Sequence, residues 1–271
     1  MTTTAQKTGY LPIGELEMYY EVHGSGLPLV LLHGAFSATG TSFGAMLPGL
    51  AEKRQVISFE MQGHGHTADI DRPLSVGAMA DDVVAGIRQM GIEPTDLLGY
   101  STGAAVAIQA TLNAPELIRK LVTISVTITL AGVQPGLLEG VGEMKPEMMY
   151  GSPWHDEYLK IAPRPDDFNQ LFEKKAEMDR NLRDVPADDY ASIKSPTLII
   201  LGDSDLPTLD HAVEMFRLRG GGVFGDLPAG LPDSQLAVIP GASHVSVVSR
   251  QELLVPMINS FLDAPMPASK A

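Results

Sequence analysis

A serine, a pair of aspartates and a histidine stand in this chain where they could carry out acyl transfer. Ser101 lies at the centre of Gly99-Tyr100-Ser101-Thr102-Gly103, where the run Thr95-Asp96-Leu97-Leu98 gives way to the small-residue stretch Ala104-Ala105-Val106-Ala107-Ile108. A serine on a sharp strand-to-helix turn is held in strained backbone with its hydroxyl clear of the sheet. Glycines flank it because a Cβ at either position would clash with the neighbouring strand or helix. Strain of this kind marks a nucleophile. A hydroxyl nucleophile also needs a base for its proton, an acid to orient that base, and donors for the oxyanion. Gly202-Asp203-Ser204-Asp205 supplies carboxylates and Pro240-Gly241-Ala242-Ser243-His244 supplies an imidazole, each directly behind an apolar run.

The elements that must hold these groups alternate between strand and helix. Residues 15–22 alternate polar and apolar and predict a half-exposed outer strand before the turn His23-Gly24-Ser25-Gly26. Leu29-Val30-Leu31-Leu32 is continuously apolar, as expected of a central strand covered on both faces. Further strands are predicted at 55–60, 95–98, 120–126, 196–201 and 235–239. Helices are predicted over 42–51, from an N-cap at Ser75 to a stop at Gly91, from the serine turn to Asn113-Ala114-Pro115, and over 209–218 and 249–262. This rhythm implies a mostly parallel sheet with helices on both faces. Loops after parallel strands gather on one side, so Ser101, one aspartate of the 203/205 pair and His244 can converge. Their order along the chain is Ser, Asp, His.

The rhythm breaks over residues 127–190, which are rich in Met, Pro and charge and show no clear strand. The stretch from Gly220-Gly221-Gly222 to Gly230 reads as a surface loop, because it follows a helix whereas a phosphate-binding loop precedes one. No internal repeat is visible.

Composition narrows the function classes. The 271 residues carry a formal charge of −14, from 19 Lys and Arg against 33 Asp and Glu, which argues against nucleic acid and anionic membranes as partners. The absence of cysteine excludes disulfides, thiolate zinc sites and a cysteine nucleophile, and fits a reducing compartment. The stretch Met1-Thr2-Thr3-Thr4-Ala5-Gln6-Lys7 lacks the apolar core of a signal peptide, and the apolar stretch 121–133 is too short to span a bilayer. A soluble, cytoplasmic protein is expected.

His33-Gly34-Ala35-Phe36 and Gly63-His64-Gly65 complete a pattern with the serine turn and the two late loops, although Glu60 stands where that second motif often has Asp. Outside its middle segment the chain resembles the α/β-hydrolase fold family. The resemblance implies a mostly parallel central sheet flanked by helices, with a small helical cap inserted after the sixth strand. Residues 1–126 and 191–263 would form the core, 127–190 the cap and 264–271 a flexible tail. It implies Asp205 as the acid, with Asp203 as the fallback. The backbone N–H groups of Ala35 and Thr102 would form the oxyanion hole, and Thr102 opens a helix whose positive end favours developing negative charge. Phe36, Met144, Met148 and Trp154 are the candidate substrate-binding residues; Met149, Tyr150 and Tyr158 add to the same apolar surface.

Other residues have quieter readings. Asp203 reads as a turn former and His33 as a shaper of the oxyanion loop. His64 and His66 read as loop residues without metal-ligand spacing. Phe36 either lines the pocket or packs beneath its loop. Asp81-Asp82 and the charged residues 174–183 read as solvated helix faces.

The expected activity is hydrolysis of small to medium carboxylic esters through an acyl-enzyme. Proteins with the same triad also cleave C–C bonds, lactones and amides, or act as cofactor-free perhydrolases and haloperoxidases. A ligand receptor with residual hydrolase activity is the alternative from another class. Ser101 at the turn rules out an aspartate nucleophile. No nicotinamide, flavin or metal signature appears, so no cofactor is expected. The expected partner is a small-molecule ester, and homo-oligomerisation is left open.

Overall fold

The computed structural model describes residues 5–226 and 230–267. The readings made on residues 1–4, on part of the glycine-rich loop and on the end of the tail lie outside the described residues. Among those described, eight strands form one sheet: β1 (Lys7–Ile13), β2 (Leu16–His23), β3 (Leu27–Leu32), β4 (Arg54–Phe59), β5 (Thr95–Tyr100), β6 (Ile118–Ile124), β7 (Thr197–Ser204) and β8 (Gln235–Ser243). Their spatial order is β1-β2-β4-β3-β5-β6-β7-β8. β1 and β2 pair antiparallel, as do β2 and β4, and every later pairing is parallel. The sequence reading contained no β1, because Gly9 and Pro12 blur its alternation. An edge strand tolerates both, since one side of its backbone needs no ladder partner.

The helices are α1 (Thr39–Phe43), α2 (Leu47–Ala51), α3 (Val76–Met90), α4 (Thr102–Asn113), α5 (Leu137–Gly142), α6 (Pro153–Ile161), α7 (Phe168–Arg180), α8 (Ala187–Ser192), α9 (Leu209–Leu218) and α10 (Gln251–Asp263). Successive side chains of β3 point to opposite faces of the sheet. Val30 and Leu32 join a core with Val83 and Ile87 of α3 and Val106 of α4. Leu29 and Leu31 join a second core with Phe43, Leu50, Leu254 and Ile258. The unbroken apolar run of β3 follows from burial on both sides.

Local chemistry sets the helix ends. Ser75 caps α3 by accepting from Ala78 N at 3.1 Å, and Gly91 stops it in left-handed backbone at φ 63°. The single helix predicted over 42–51 is two, α1 and α2. Pro48 has no N–H to give a helix and its ring crowds the carbonyl four residues back, and it stands in the first turn of the second helix, where neither matters.

Two surface readings are corrected. Asp82 is buried and paired with Arg72 at 2.6 Å, so only Asp81 of that pair faces solvent. In α7, Lys175 is buried with its Nζ 2.6 Å from both Asp179 oxygens, and Lys174 reaches Asp69 at 2.5 Å. α7 lies against the loop after β4, so its lysine stems cover apolar surface while their ammonium groups find carboxylates.

The residues between β6 and β7 carry α5 to α8 and three short 3₁₀ turns, with one isolated bridge, Val133 to Pro207. No described helix is long and apolar enough to cross a membrane.

The chain leaves β3 toward β4 on one side and returns to β5 on the other, which opens a crevice beyond the carboxyl ends of β3 and β5. Two glycines let α4 close in there. A Cβ on Gly103 would run into the carbonyl oxygens of Leu32 and His33, and one on Gly99 into Gly103 O and Ala104 Cα. Gly103→Ala is therefore expected to force α4 off β3 and cost about 1–3 kcal/mol or more. Urea unfolding should read this as a lower midpoint at unchanged slope.

Candidate active site

Among the described residues, three non-glycine residues have positive φ: Phe36 at 57°, Ser101 at 53° and Ser125 at 58°. They sit in the loops that follow β3, β5 and β6. Each such backbone costs on the order of 1–3 kcal/mol and persists only where the surroundings over-determine it. Ser101 is over-determined. Its N–H donates to Ile124 O at 2.9 Å, and its carbonyl accepts from Ala104 N at 2.9 Å and Ala105 N at 3.1 Å.

The structure brings Ser101, His244 and Asp205 together. Ser101 Oγ lies 3.0 Å from His244 Nε2, and His244 Nδ1 lies 2.8 Å from Asp205 Oδ1. The ionised carboxylate can only accept, so Nδ1 carries the proton and Nε2 is free to accept from the serine. Asp205 is buried. Burial alone would raise its pKa, but hydrogen bonds from His244, Ser125 and Gly202 outweigh that and hold the carboxyl below the usual carboxylate range. Asp203 has a different task. Its carboxylate accepts from Gly241 N at 2.8 Å and Ala242 N at 3.3 Å, tying the end of β7 to the end of β8.

The loop after β3 presses on the serine. A Cβ built on Gly34 would lie 3.5 Å from Ser101 Cβ and 2.9 Å from Tyr100 Cε1, so only hydrogen fits. Gly34 O accepts from His33 Nδ1 and Ser37 Oγ, both at 2.8 Å. His33 Nε2 accepts from Met61 N at 2.9 Å, which places the single ring proton on Nδ1. Burial pushes the His33 pKa down and keeps the ring neutral. Because the peptide is planar and trans, the anchored Gly34 carbonyl turns the Ala35 N–H the opposite way. Thr102 is the first residue of α4, where an N–H has no intrahelical acceptor.

Phe36 stacks on Phe172 of α7, centroids 5.4 Å apart at 17°, and tilts against Phe168 at 6.2 Å. It joins the β3 loop to the helical segment. Met148 is 70 % exposed, and Met144 and Trp154 are half-buried. The ring cluster around Phe36 is built instead from Phe168, Phe172, Tyr150, His155 and Tyr158. Five contributors, His155 among them, carry no expectation from the sequence. Phe168 and Phe172 sit at helical spacing and could have been found as the apolar face of α7. Tyr100 lies within the serine pentapeptide, but nothing in that motif marks its hydroxyl as the donor to His244 O at 2.9 Å; Ser125, which donates to Asp205 Oδ2, stands in no motif.

Glu60 is buried and fully engaged. Its carboxylate accepts from Thr39 N at 3.1 Å, His66 N at 2.6 Å and His66 Nδ1 at 2.9 Å, and so binds the loops before α1 and after Gly65. Burial would raise Glu60, but the His66 hydrogen bonds outweigh it and hold it low; the same Glu60 bond raises His66. His64 is pushed down to about 3 by burial and donates from Nδ1 to Gln62 O. Among the described residues, no three His, Asp or Glu side chains cluster closely enough to hold a metal ion.

A sequence model of the alpha/beta hydrolase family matches residues 29–256. The pyrrolizixenacetamide deacetylase of Xenorhabdus hominickii is 34 % identical over 110 residues, a stretch that spans 41 % of either chain. The pimeloyl-[acyl-carrier protein] methyl ester esterase of Aliivibrio salmonicida is 25 % identical over 263 residues, covering 90 % of this chain and 95 % of the esterase. A meta-cleavage product hydrolase from Pseudomonas fluorescens IP01 superposes with a TM-score of 0.72 over 95 % of this chain and 97 % of its own, at 18 % identity; that likeness is one of fold.

The Glu60–His66 pair predicts a pH signature. Glu60, held low, contributes stability above its unfolded pKa of about 4.3 and loses it as pH falls through its folded value. His66, held high, contributes fully below about 6.5 and loses it as pH rises through its folded value. The stability difference between the native protein and His66→Asn should be largest near pH 5 to 6 and shrink by pH 9, as read from urea midpoints.

Proposed function

The chain belongs to the alpha/beta hydrolase family, and we propose that it is a serine hydrolase that cleaves small to medium carboxylic esters through an acyl-enzyme. The observation that carries this reading is the two-bond relay from Ser101 Oγ through His244 to the buried Asp205, at 3.0 and 2.8 Å. The esterase and deacetylase named above support it at the level of reaction type, since both detach an acyl group from oxygen or nitrogen.

In this mechanism Ser101 Oγ attacks the ester carbonyl carbon while His244 Nε2 takes its proton. Asp205 keeps the imidazole in the correct tautomer and stabilises the imidazolium that forms. Negative charge then develops on the former carbonyl oxygen. The N–H groups of Ala35 and Thr102 are the proposed donors to it, one held by the anchored Gly34 peptide and one at the positive end of α4. Collapse expels the alcohol, which receives the proton from His244. A water activated by the same histidine then releases the acid. The helical segment over 127–190 serves as the cap, with Phe36 as its contact to the oxyanion loop.

Ser101→Ala should lower kcat on p-nitrophenyl acetate and butyrate on the order of 10⁶-fold, and Asp205→Asn about 10⁴-fold, with both variants folded by circular dichroism. Turnover that survives Ser101→Ala would sink the mechanism. A chain-length series of esters, run beside a ring-fission diketone, then ranks ester against C–C substrates by kcat/KM.

A further inference from the structure

Ser125 is the positive-φ residue that the mechanism leaves without a task. It follows β6, its N–H donates to Ile200 O of β7 at 2.8 Å, and its side chain is buried. Left-handed backbone turns its Oγ toward the loop after β7, where it donates to Asp205 Oδ2. A glycine would adopt this backbone without penalty. A serine held there at a cost therefore draws attention to its hydroxyl.

The bonds around Asp205 show what that hydroxyl does. Oδ2 accepts from Ser125 and from Gly202 N at 2.9 Å; Oδ1 accepts from Leu206 N at 2.6 Å and faces His244 Nδ1. A carboxylate can rotate about its own terminal bond. Gly202, near the end of β7, and Leu206 both lie within three residues of Asp205 in the chain. Ser125 comes from the end of the neighbouring strand β6, so its bond ties the carboxylate across to a second strand of the sheet.

We infer that Ser125 is a positioning residue of the acid–histidine pair: its hydroxyl fixes the rotation of the Asp205 carboxylate and, through it, the aim of His244 at Ser101. The inference rests on the serine-hydrolase reading for its kinetic consequence but not for its geometry. Ser125→Gly removes the hydroxyl and relieves the backbone; Ser125→Ala is the companion variant.

Both should lower kcat on p-nitrophenyl butyrate about tenfold, a loss of about 1.4 kcal/mol, with KM within about twofold. The rate of Ser101 labelling by a fluorophosphonate should fall by the same factor. The low-field Nδ1 proton resonance of His244 should shift or broaden, while the melting temperature of Ser125→Gly holds or rises. Native kcat, labelling rate and resonance in Ser125→Gly would overturn the inference. So would a kcat loss that tracks a fall in melting temperature with the resonance unmoved. Should Ser101→Ala itself stay active, the serine mechanism fails separately, and the His244 resonance in Ser125→Gly still decides whether Ser125 orients the pair.

Discussion

The closeness of helix α4 to strand β3 is the constraint on which this site is built. With hydrogen at Gly103, the first turn of the helix can rest on the carbonyls of Leu32 and His33, and Ser101 is squeezed into left-handed backbone between β5 and α4. That backbone stands at the carboxyl end of β5 with its N–H and carbonyl both committed, which fixes the direction of its Cα–Cβ bond. Dense packing of two regular elements thus holds a locally unfavourable conformation. Cooperative burial on both faces of the sheet supplies the stability that the strained residues draw down.

Electrostatics then sorts the histidines. His33 and His64 are fully buried, and the cost of desolvating an imidazolium keeps both neutral. They are fixed struts: His33 spans Gly34 O and Met61 N, and His64 reaches Gln62 O. His244 is different, with 27 % of its side chain exposed and an ionised carboxylate on Nδ1. That carboxylate fixes the ring proton on Nδ1 and leaves Nε2 facing Ser101. Asp205 is held below the usual carboxylate range in its buried position by donors from His244, Ser125 and Gly202.

The helical segment meets the core through two kinds of contact. Phe36 stacks into α7, and buried Asp69 gathers Lys174, Gln170 and Gln62 into one partly exposed polar junction. Glu157 adds a third tie by accepting from Thr41 at 2.5 Å. The junctions fall on the loops after β3 and β4 and on α1, so whatever positions this segment also bears on the loop that presses on Ser101.

Much of this was legible in the chain. The alternation of apolar runs with helical stretches implied the parallel sheet, because strand burial on two faces demands a continuous apolar run. The pentapeptide around Ser101 and the loops bearing Asp205 and His244 were legible because each chemistry-bearing residue directly follows such a run. Other features depended on distance in space. The edge strand β1 is held by pairing with β2 rather than by its own pattern, and the burial of Asp82 and Lys175 depends on surfaces that only packing brings near. Ser125 and Tyr100 act on residues 80 and 144 positions away. Local sequence determines which backbone an element adopts and which side chains it offers; which of those side chains meet is decided by the sheet order, since neighbouring strands need not be neighbours in the chain.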